Sequence, residues 1–478
     1  MKKLSLAVVG ISTNALVEVC KKSQKSLQIF TFLTIMFVTF AIVGKAATFT
    51  VTNTSNAGAG SLRQAITDAN GAAGADTIVF AIGSAQFQQI SLISELSITS
   101  DMTIDGSNTK NLFIGGTTNV RAFNITSGNV QMNDLNIFNG RLTSPATGGG
   151  FLINGGTTTL TGVSIQGCVA GNGAGIAVIS GNLVMQNSML YNNQAILQGG
   201  GLFVNSANST ATITSSTFSF NFATQNGSAA AVVSGTLNAK NSIFGSGGTT
   251  NQDIFGTLNS QGFNIIQNTT GSIITGTTTG NQLNVDPLIL SADENGGGTF
   301  SAGLRLNSPA IDAGDPSLAN TTDQRKARRN TDGNYNGIAG VDIGTYEKQK
   351  SAFDVDGEGS SDFTVTRIVS GTNLFWYGGK FTQSSFAPEF NTNPNGLTGQ
   401  QFGLNTDVTV PGDYDGDGKT DAAVYRPSDG NWYINATTTG FRVLHWGIST
   451  DTPIPADYDG DGKTDAAVYR AGIWYILK

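Results

Sequence analysis

Residues 132–244 repeat themselves, and a repeat of this size leaves a chain few ways to fold. One apolar position recurs at Ile137, Ile165, Leu190, Phe218 and Phe244, at spacings of 28, 25, 28 and 26 residues. Five residues before each stands Met132, Leu160, Met185, Ile213 or Ala239. After each of the first four comes a glycine-led motif whose apolar start lies 11 to 14 residues on: Gly-Gly-Gly-Phe151-Leu-Ile153, Gly-Ala-Gly-Ile176-Ala-Val178, Gly-Gly-Gly-Leu202-Phe-Val204 and Gly-Ser-Ala-Ala230-Ala-Val232. A fixed period built from short strands and Gly/Asn corners marks a solenoid. Alternation within the motif, as at Ile176 and Val178, gives a strand period of two and not a helical one. One such strand cannot bury its apolar side alone, so each coil must stack on the next. At about 1.5–3 kcal/mol per fully buried aliphatic side chain, a few inward residues per coil suffice to draw coils together.

These rows, about 26 residues per turn, resemble the pectin-lyase-like superfamily of right-handed parallel β-helices. The resemblance implies an all-β fold over about 200 residues. It implies no single activity, because such helices serve lyases, hydrolases, esterases and adhesins.

Composition agrees with a coil-and-corner chain: 62 of 478 residues are glycine and only 12% are charged. Lys21, Lys22 and Lys25 precede an uncharged apolar run over residues 29–44, followed by small residues at Gly44 and Ala46. That order predicts a secretory signal over residues 1–46, cleaved after Ala46. The mature chain would then carry 20 basic and 32 acidic residues, a net charge of −12. Such a charge argues against nucleic acid or anionic membrane as partner, and nothing in the mature chain predicts stable membrane insertion. Cys20 lies ahead of the apolar run, so Cys168 is the one mature cysteine and an intrachain disulfide is excluded. The residue pattern places Cys168 at a coil corner as a small buried thiol. A secreted or bacterial cell-surface location follows as the expectation.

Taken in order, residues 47–105 read as an N-terminal cap and first coils, 106–285 as the β-helix, 286–348 as a closing cap and 349–478 as a second repeat array. In the first segment Ser61 and Gln64 form a capping box ahead of Leu62, Ala65, Ile66 and Ala69, which share one helical face. A short helix there covers the open end of the coil, whose edge would otherwise recruit other chains. The stretch resembles the CSLREA-type start of secreted β-helix proteins, with Gly60 in place of its Cys and Gln64 in place of its Glu. In the segment 286–348, Asp286-Pro287-Leu288, Ser308-Pro309-Ala310-Ile311-Asp312 and Val341-Asp342-Ile343-Gly344-Thr345-Tyr346-Glu347 resemble the C-terminal closing region of the same families.

The tail repeats separately. Asp413-Tyr-Asp415-Gly-Asp417-Gly-Lys419-Thr-Asp421-Ala-Ala-Val-Tyr-Arg426 recurs letter for letter from Asp457 to Arg470, as Asp457, Asp459, Asp461, Lys463 and Asp465. A degraded copy carries Asp354, Asp356, Glu358 and Asp362. Each loop precedes an alternating strand and an aromatic strand holding Trp376, Trp432 or Trp474. Four carboxylates at positions 1, 3, 5 and 9 repel one another, by about 1 kcal/mol per pair in water at ~4 Å. A hard divalent cation removes that repulsion, and oxygen-only ligands select calcium. The main-chain carbonyls of Lys419 and Lys463 occupy the seventh position; the plainer reading is that Asp-Gly pairs build turns. Val424 and Val468 stand where an EF-hand would need Glu, which excludes EF-hand signalling. The copies resemble FG-GAP/VCBS-type repeats, which implies three propeller-blade-like units with structural calcium at their corners. Three copies fall short of the four blades of the smallest propellers. An open stack, packing on the β-helix, and completion between chains all remain open.

Catalytic groups are scarce on the coils. Between residues 111 and 239 the only charged residues are Arg121, Asp134 and Arg141, whereas a glycosidase needs two carboxylates about 5–10 Å apart. Asp101 and Asp134 share a column that continues as Gly162, Asn187, Ser215 and Asn241, which reads as corner ladder. His445 is the only histidine, so no Ser-His or Cys-His nucleophile is available on the coils. Acids and bases gather only in the closing segment, at Asp312, Asp315, Asp323, Arg325, Asp332 and Asp342. The expectation is therefore a non-enzymatic adhesion or binding protein whose partner is a polysaccharide or another surface protein. The competing expectation is a polysaccharide lyase or glycoside hydrolase with its site in that segment. The three repeated tryptophans read first as blade core and second as glycan contacts.

Overall fold

A computed structural model describes residues 45–83, 87–245, 252–305, 307–334, 338–349, 363–369, 371–379, 398–458 and 463–478. The expected signal segment to residue 44 and Cys20 lie outside them. The chain is all-β, 50% strand and 3% helix, and its centre is a parallel β-solenoid of about 8 turns. One 12-stranded and one 9-stranded sheet form its walls, and a 3-stranded sheet fills a corner.

Register follows the sequence rows. Leu160 sits beside Met132 and Met185, and Met185 beside Ile213, in the large sheet. In the 9-stranded sheet Ile137, Ile165, Leu190, Phe218 and Phe244 stand in one file. All are fully buried. The glycine-led motifs align as Phe151, Ile176, Leu202, Ala230 and Ile254, one residue per coil. Because identical positions stack, rings meet rings: Phe123 and Phe151 lie 5.1 Å apart at 10°, and Phe218 and Phe244 4.8 Å apart. Such offset pairs add about 0.5–1.5 kcal/mol beyond area burial. Buried polar corners stack too. Asn193 Nδ2 donates to Asn221 Oδ1 at 2.9 Å and to the Ile165 carbonyl, so neither amide is left unpaired inside.

Helix α1 (Leu62–Gly71) is the single α-helix of the described residues. The Ser61 hydroxyl accepts the Gln64 N–H at 3.2 Å, an N-cap; the expected capping box is only half formed, since the Gln64 side chain turns to Asp68 and the Ser61 N–H bonds the Gly58 carbonyl. Leu62, Ala65, Ile66 and Ala69 are buried and join the core at its first strands, including Val51, Ile78 and Leu96. The helix thus replaces the neighbouring coil that the first strand lacks. Cys168 is a free, buried thiol, and burial pushes it up to about 12.

Residues 286–348 run back along the flank of the solenoid. Gly298 accepts the Asn111 N–H, the Phe300 N–H reaches Asn136, and Thr299 bonds to the Gly162 carbonyl. Further along, Asn187 bonds to Thr322 and Arg329, and Asn241 to Asp315 and Asp342. Lys326 pairs with Asp134. The column Asp134, Asn187, Ser215 and Asn241 is a row of left-handed corners, with φ of 53°, 46°, 46° and 50°; Asp101, expected in it, instead stands in register with Asn129, whose N–H it accepts. Such corners suit Asn and Asp, and their side chains double as anchors for the flank segment.

The tail forms three antiparallel blades: blade I (Phe363–Val369, Asn373–Gly379, Thr398–Leu404), blade II (Val408–Thr409, Ala422–Arg426, Asn431–Ala436, Gly440–His445) and blade III (Thr452–Pro453, Ala466–Arg470, Ile473–Leu477). Leu374 and Trp376 of blade I pack on Ala422 and Val424 of blade II. Trp432 and Tyr425 of blade II share a core with Ala466 and Val468 of blade III. The repeated arginine closes blades II and III in the same way, Arg426 on Asp407 at 2.8 Å and Arg470 on Asp451 at 2.6 Å.

Candidate binding groove and metal centre

Outward residues of the 9-stranded sheet and its following corner line an open groove of about 790 Å³. Successive coils contribute Phe87 and Gln89, then Phe113, then Phe138, Asn139 and Arg141, then Gln166, then Tyr191, Asn192 and Gln194. Phe300, from the flank segment, forms one wall. Phe113 holds the rings together, edge-on to Phe138 at 5.7 Å and to Phe300 at 5.3 Å. Tyr191 meets Phe220 of the next coil at 5.4 Å, and Phe220 is itself exposed. Five coils at the usual strand separation span about 19 Å.

Polar groups in the groove are amides, those of Gln89, Gln166 and Gln194 on strands and those of Asn139 and Asn192 at corners, where their left-handed conformations turn the chain. Arg141 is the one charged side chain of the lining; it donates to Asn139 Oδ1 at 3.1 Å and pairs with no carboxylate among the described residues. The backbone of the floor is already paired coil to coil, so a ligand would be read by side chains alone. Sequence reasoning missed this groove. Gln89 and Phe113 belong to the outward file beside the inward Ile90 and Ile114, while Phe138, Gln166 and Tyr191 belong to the file on the other side, beside the inward Ile137, Ile165 and Leu190.

In the tail loop of blade II the structure brings Asp413, Asp415 and Asp421 together, with one oxygen from each within 4.8 Å of the others. Asp413 bends the loop by accepting Gly416 and Gly418 N–H groups, both glycines having positive φ. Asp421 is fully buried; burial first, and then the Asp415 charge, push it up to about 6. Asp417 points elsewhere, to the Thr437 and Thr438 hydroxyls and the Lys419 N–H. Against the cost of burial, those hydroxyls hold it below the usual carboxylate range. The turn Thr437-Thr438-Thr439, which the sequence reading did not single out, donates to Asp415 and Asp421 as well. An all-oxygen set of three clustered carboxylates fits a hard cation. In blade III Asp465 accepts the Tyr458 N–H as Asp421 accepts that of Tyr414. Asp457 and Lys463 belong to the same loop, while Asp459 and Asp461 lie outside the described residues. So do Asp354, Asp356, Glu358 and Asp362.

One group of charged side chains in the flank segment is internal, while Asp286, Lys326 and Arg328 are exposed. Asp342 and Glu347 are fully buried, as is the guanidinium of Arg329, 3.6 Å from Glu347. Glu347 accepts the N–H groups of Asn330, Thr331 and Asp342. Burial nevertheless pushes Glu347 up to about 7, and it pushes Asp342 in the same direction. Arg325 forks onto Asp323 and lies 3.6 Å over the Tyr346 ring. Asp312 receives the Gly333 and Asn334 N–H groups, so it closes that loop. Trp376 and Trp432 are buried at 1% and 0% exposure, while Trp474 is 56% exposed. His445 is exposed and bonds Asn431.

No family model matches the sequence, and no curated protein matches it.

Proposed function

We propose that this is a non-enzymatic binding protein of the cell exterior, a β-solenoid that holds a glycan chain in its flank groove and is extended by calcium-stabilised blades. The groove carries the reading: half-buried rings offer faces for sugar C–H groups, and corner amides offer donors and acceptors for hydroxyls. One unpaired arginine faces it and no carboxylate lines it. Sites of this make-up, apolar with a few convergent polar groups, are where small ligands orient. Successive coils about 4.8 Å apart would set successive side chains of the groove, Phe113, Phe138, Gln166 and Tyr191, along a chain laid in it. The similarity of the coils to pectin-lyase-like helices, of the start to CSLREA-type proteins and of the tail to FG-GAP/VCBS repeats supports secretion or surface display. A polysaccharide, or a glycosylated surface protein, is the partner that this reading names.

Calcium enters as a structural ion. Asp413, Asp415 and Asp421 would hold it, and by repetition Asp457 and Asp465 with their loop, pinning each blade corner. The lyase or hydrolase alternative would rest on the perturbed Asp342 and Glu347 pair. Both carboxyls are sealed from solvent and hydrogen-bonded to backbone, which suits loop closure better than proton transfer to a substrate.

Titration of the full chain against a panel of neutral and acidic oligosaccharides tests the reading. Saturable binding is expected, weakened about tenfold or more by Phe138→Ala, on the middle coil of the five, the size of effect a central aromatic anchor carries. Turnover of any panel member, lost on Arg325→Ala, would replace the binding reading with the enzymatic one.

A further inference from the structure

The tail contains the same blade-to-blade contact twice, and each end of the array carries one half of a third. In every blade two strands pair so that one face shows a tryptophan and the other a Val-Tyr-Arg set. Trp376 stands opposite Thr366, Trp432 opposite Tyr425 and Trp474 opposite Tyr469. On the reverse face Val365 stands opposite Tyr377, Val424 opposite Tyr433 and Val468 opposite Tyr475. The arginine of that face lies over the tyrosine ring in all three, Arg367 on Tyr377, Arg426 on Tyr433 and Arg470 on Tyr475. Inside the array the tryptophan face of one blade covers the valine face of the next. Trp376 and Trp432 are sealed in this way, and so are Val424 and Val468. The outer copies are not: Trp474 is 56% and Tyr469 41% exposed, and Val365 is only half-buried.

We propose that the tryptophan face of blade III docks on the valine face of blade I in a second copy of this chain. The contact is heterologous, and two such contacts between two copies close a ring of six blades. Six lies within the range of closed propellers, which three blades do not reach. A second copy is the occupant because the exposed acceptor carries the valine, tyrosine and arginine, here Val365, Tyr377 and Arg367, that already receive a tryptophan face at Val424 and Val468, with Phe363 standing where those faces have Ala422 and Ala466. The dimer presents two solenoids from one ring, so a repeated surface ligand is gripped at two points.

Sedimentation of the full chain in calcium is expected to give a dimer. Trp474→Ala, which removes a half-exposed side chain and leaves the internal interfaces intact, should raise the dimer dissociation constant about tenfold or more. In a Cys20→Ser background, a mixture of Trp474→Cys chains with Val365→Cys chains should form a disulfide between unlike chains, Cys168 being buried and out of reach. A monomer at high concentration overturns the proposal. So does a dimer indifferent to Trp474→Ala, which would have to use another surface, or an open-ended polymer, which would show that the ring does not close.

Discussion

Glu347 shows how a single side chain ties the flank segment to solution conditions. Its carboxyl is pushed from an ordinary 4.5 to about 7 by burial. A carboxyl raised on folding contributes stability that is complete below its ordinary value and is lost as pH rises through the folded one. Relative to Glu347→Gln, the wild-type chain should therefore lose melting temperature as pH rises from 4.5 to about 7, while the variant follows a flatter course. The glutamine also turns an N–H group towards the Asp342 N–H, at a cost of about 1–3 kcal/mol at all pH values. An equal pH profile in both proteins would show that Glu347 does not titrate in this range. Arg329 is the complementary case. Removing a fully buried guanidinium strands Glu347 and costs about 3–5 kcal/mol, which denaturant unfolding of Arg329→Ala should register.

Elements matter here as ends and edges. A parallel sheet has two open edges along the solenoid axis, and α1 occupies the first of them. Ser61 is fully buried and fixes where the helix begins. Ser61→Ala should destabilise the solenoid by about 1 kcal/mol and raise its tendency to associate, measured by light scattering near the transition. The flank segment works sideways. By bonding to corners at Asp134, Asn187 and Asn241 it fastens coils that are otherwise held only to their neighbours. In doing so it delivers Phe300 to the groove, so one element serves both stability and the candidate ligand surface.

At the scale of the whole molecule the two repeat arrays report separately, because all four tryptophans lie in the blades, at residues 376, 432, 446 and 474. Tryptophan fluorescence therefore follows blade unfolding, while far-ultraviolet circular dichroism follows mostly the solenoid. Calcium at about 100 times its dissociation constant should stabilise the blades by about 2.7 kcal/mol for each ion bound. EDTA should lower the fluorescence transition and leave the solenoid transition in place. In the double variant Asp415→Ala with Asp459→Ala, the response to calcium should vanish. A fluorescence transition that ignores EDTA in the wild-type chain would remove calcium from this account.

Fold was legible because a solenoid writes its tertiary contacts as a period. Ile137, Ile165, Leu190, Phe218 and Phe244 touch for the same reason that they recur, so the sequence by itself determined the core files, the capping helix and the blade-like repeats. The blade loop was half legible: spacing grouped Asp413, Asp415 and Asp421, but Thr437 and Thr438, which draw Asp417 away, are 20 and 21 residues beyond it. The groove was not legible. Phe113, Phe138 and Tyr191 share no file or repeat with Phe300, and the contact across 162 residues between Asn136 and the flank segment obeys no repeat. Where Trp474 ends up was equally hidden, since the same residue is core at one blade and surface at the next, according to what packs on it. Periodic contacts are local rules applied many times; lateral packing and the last unfilled face depend on which distant pieces meet, and only the folded chain decides that.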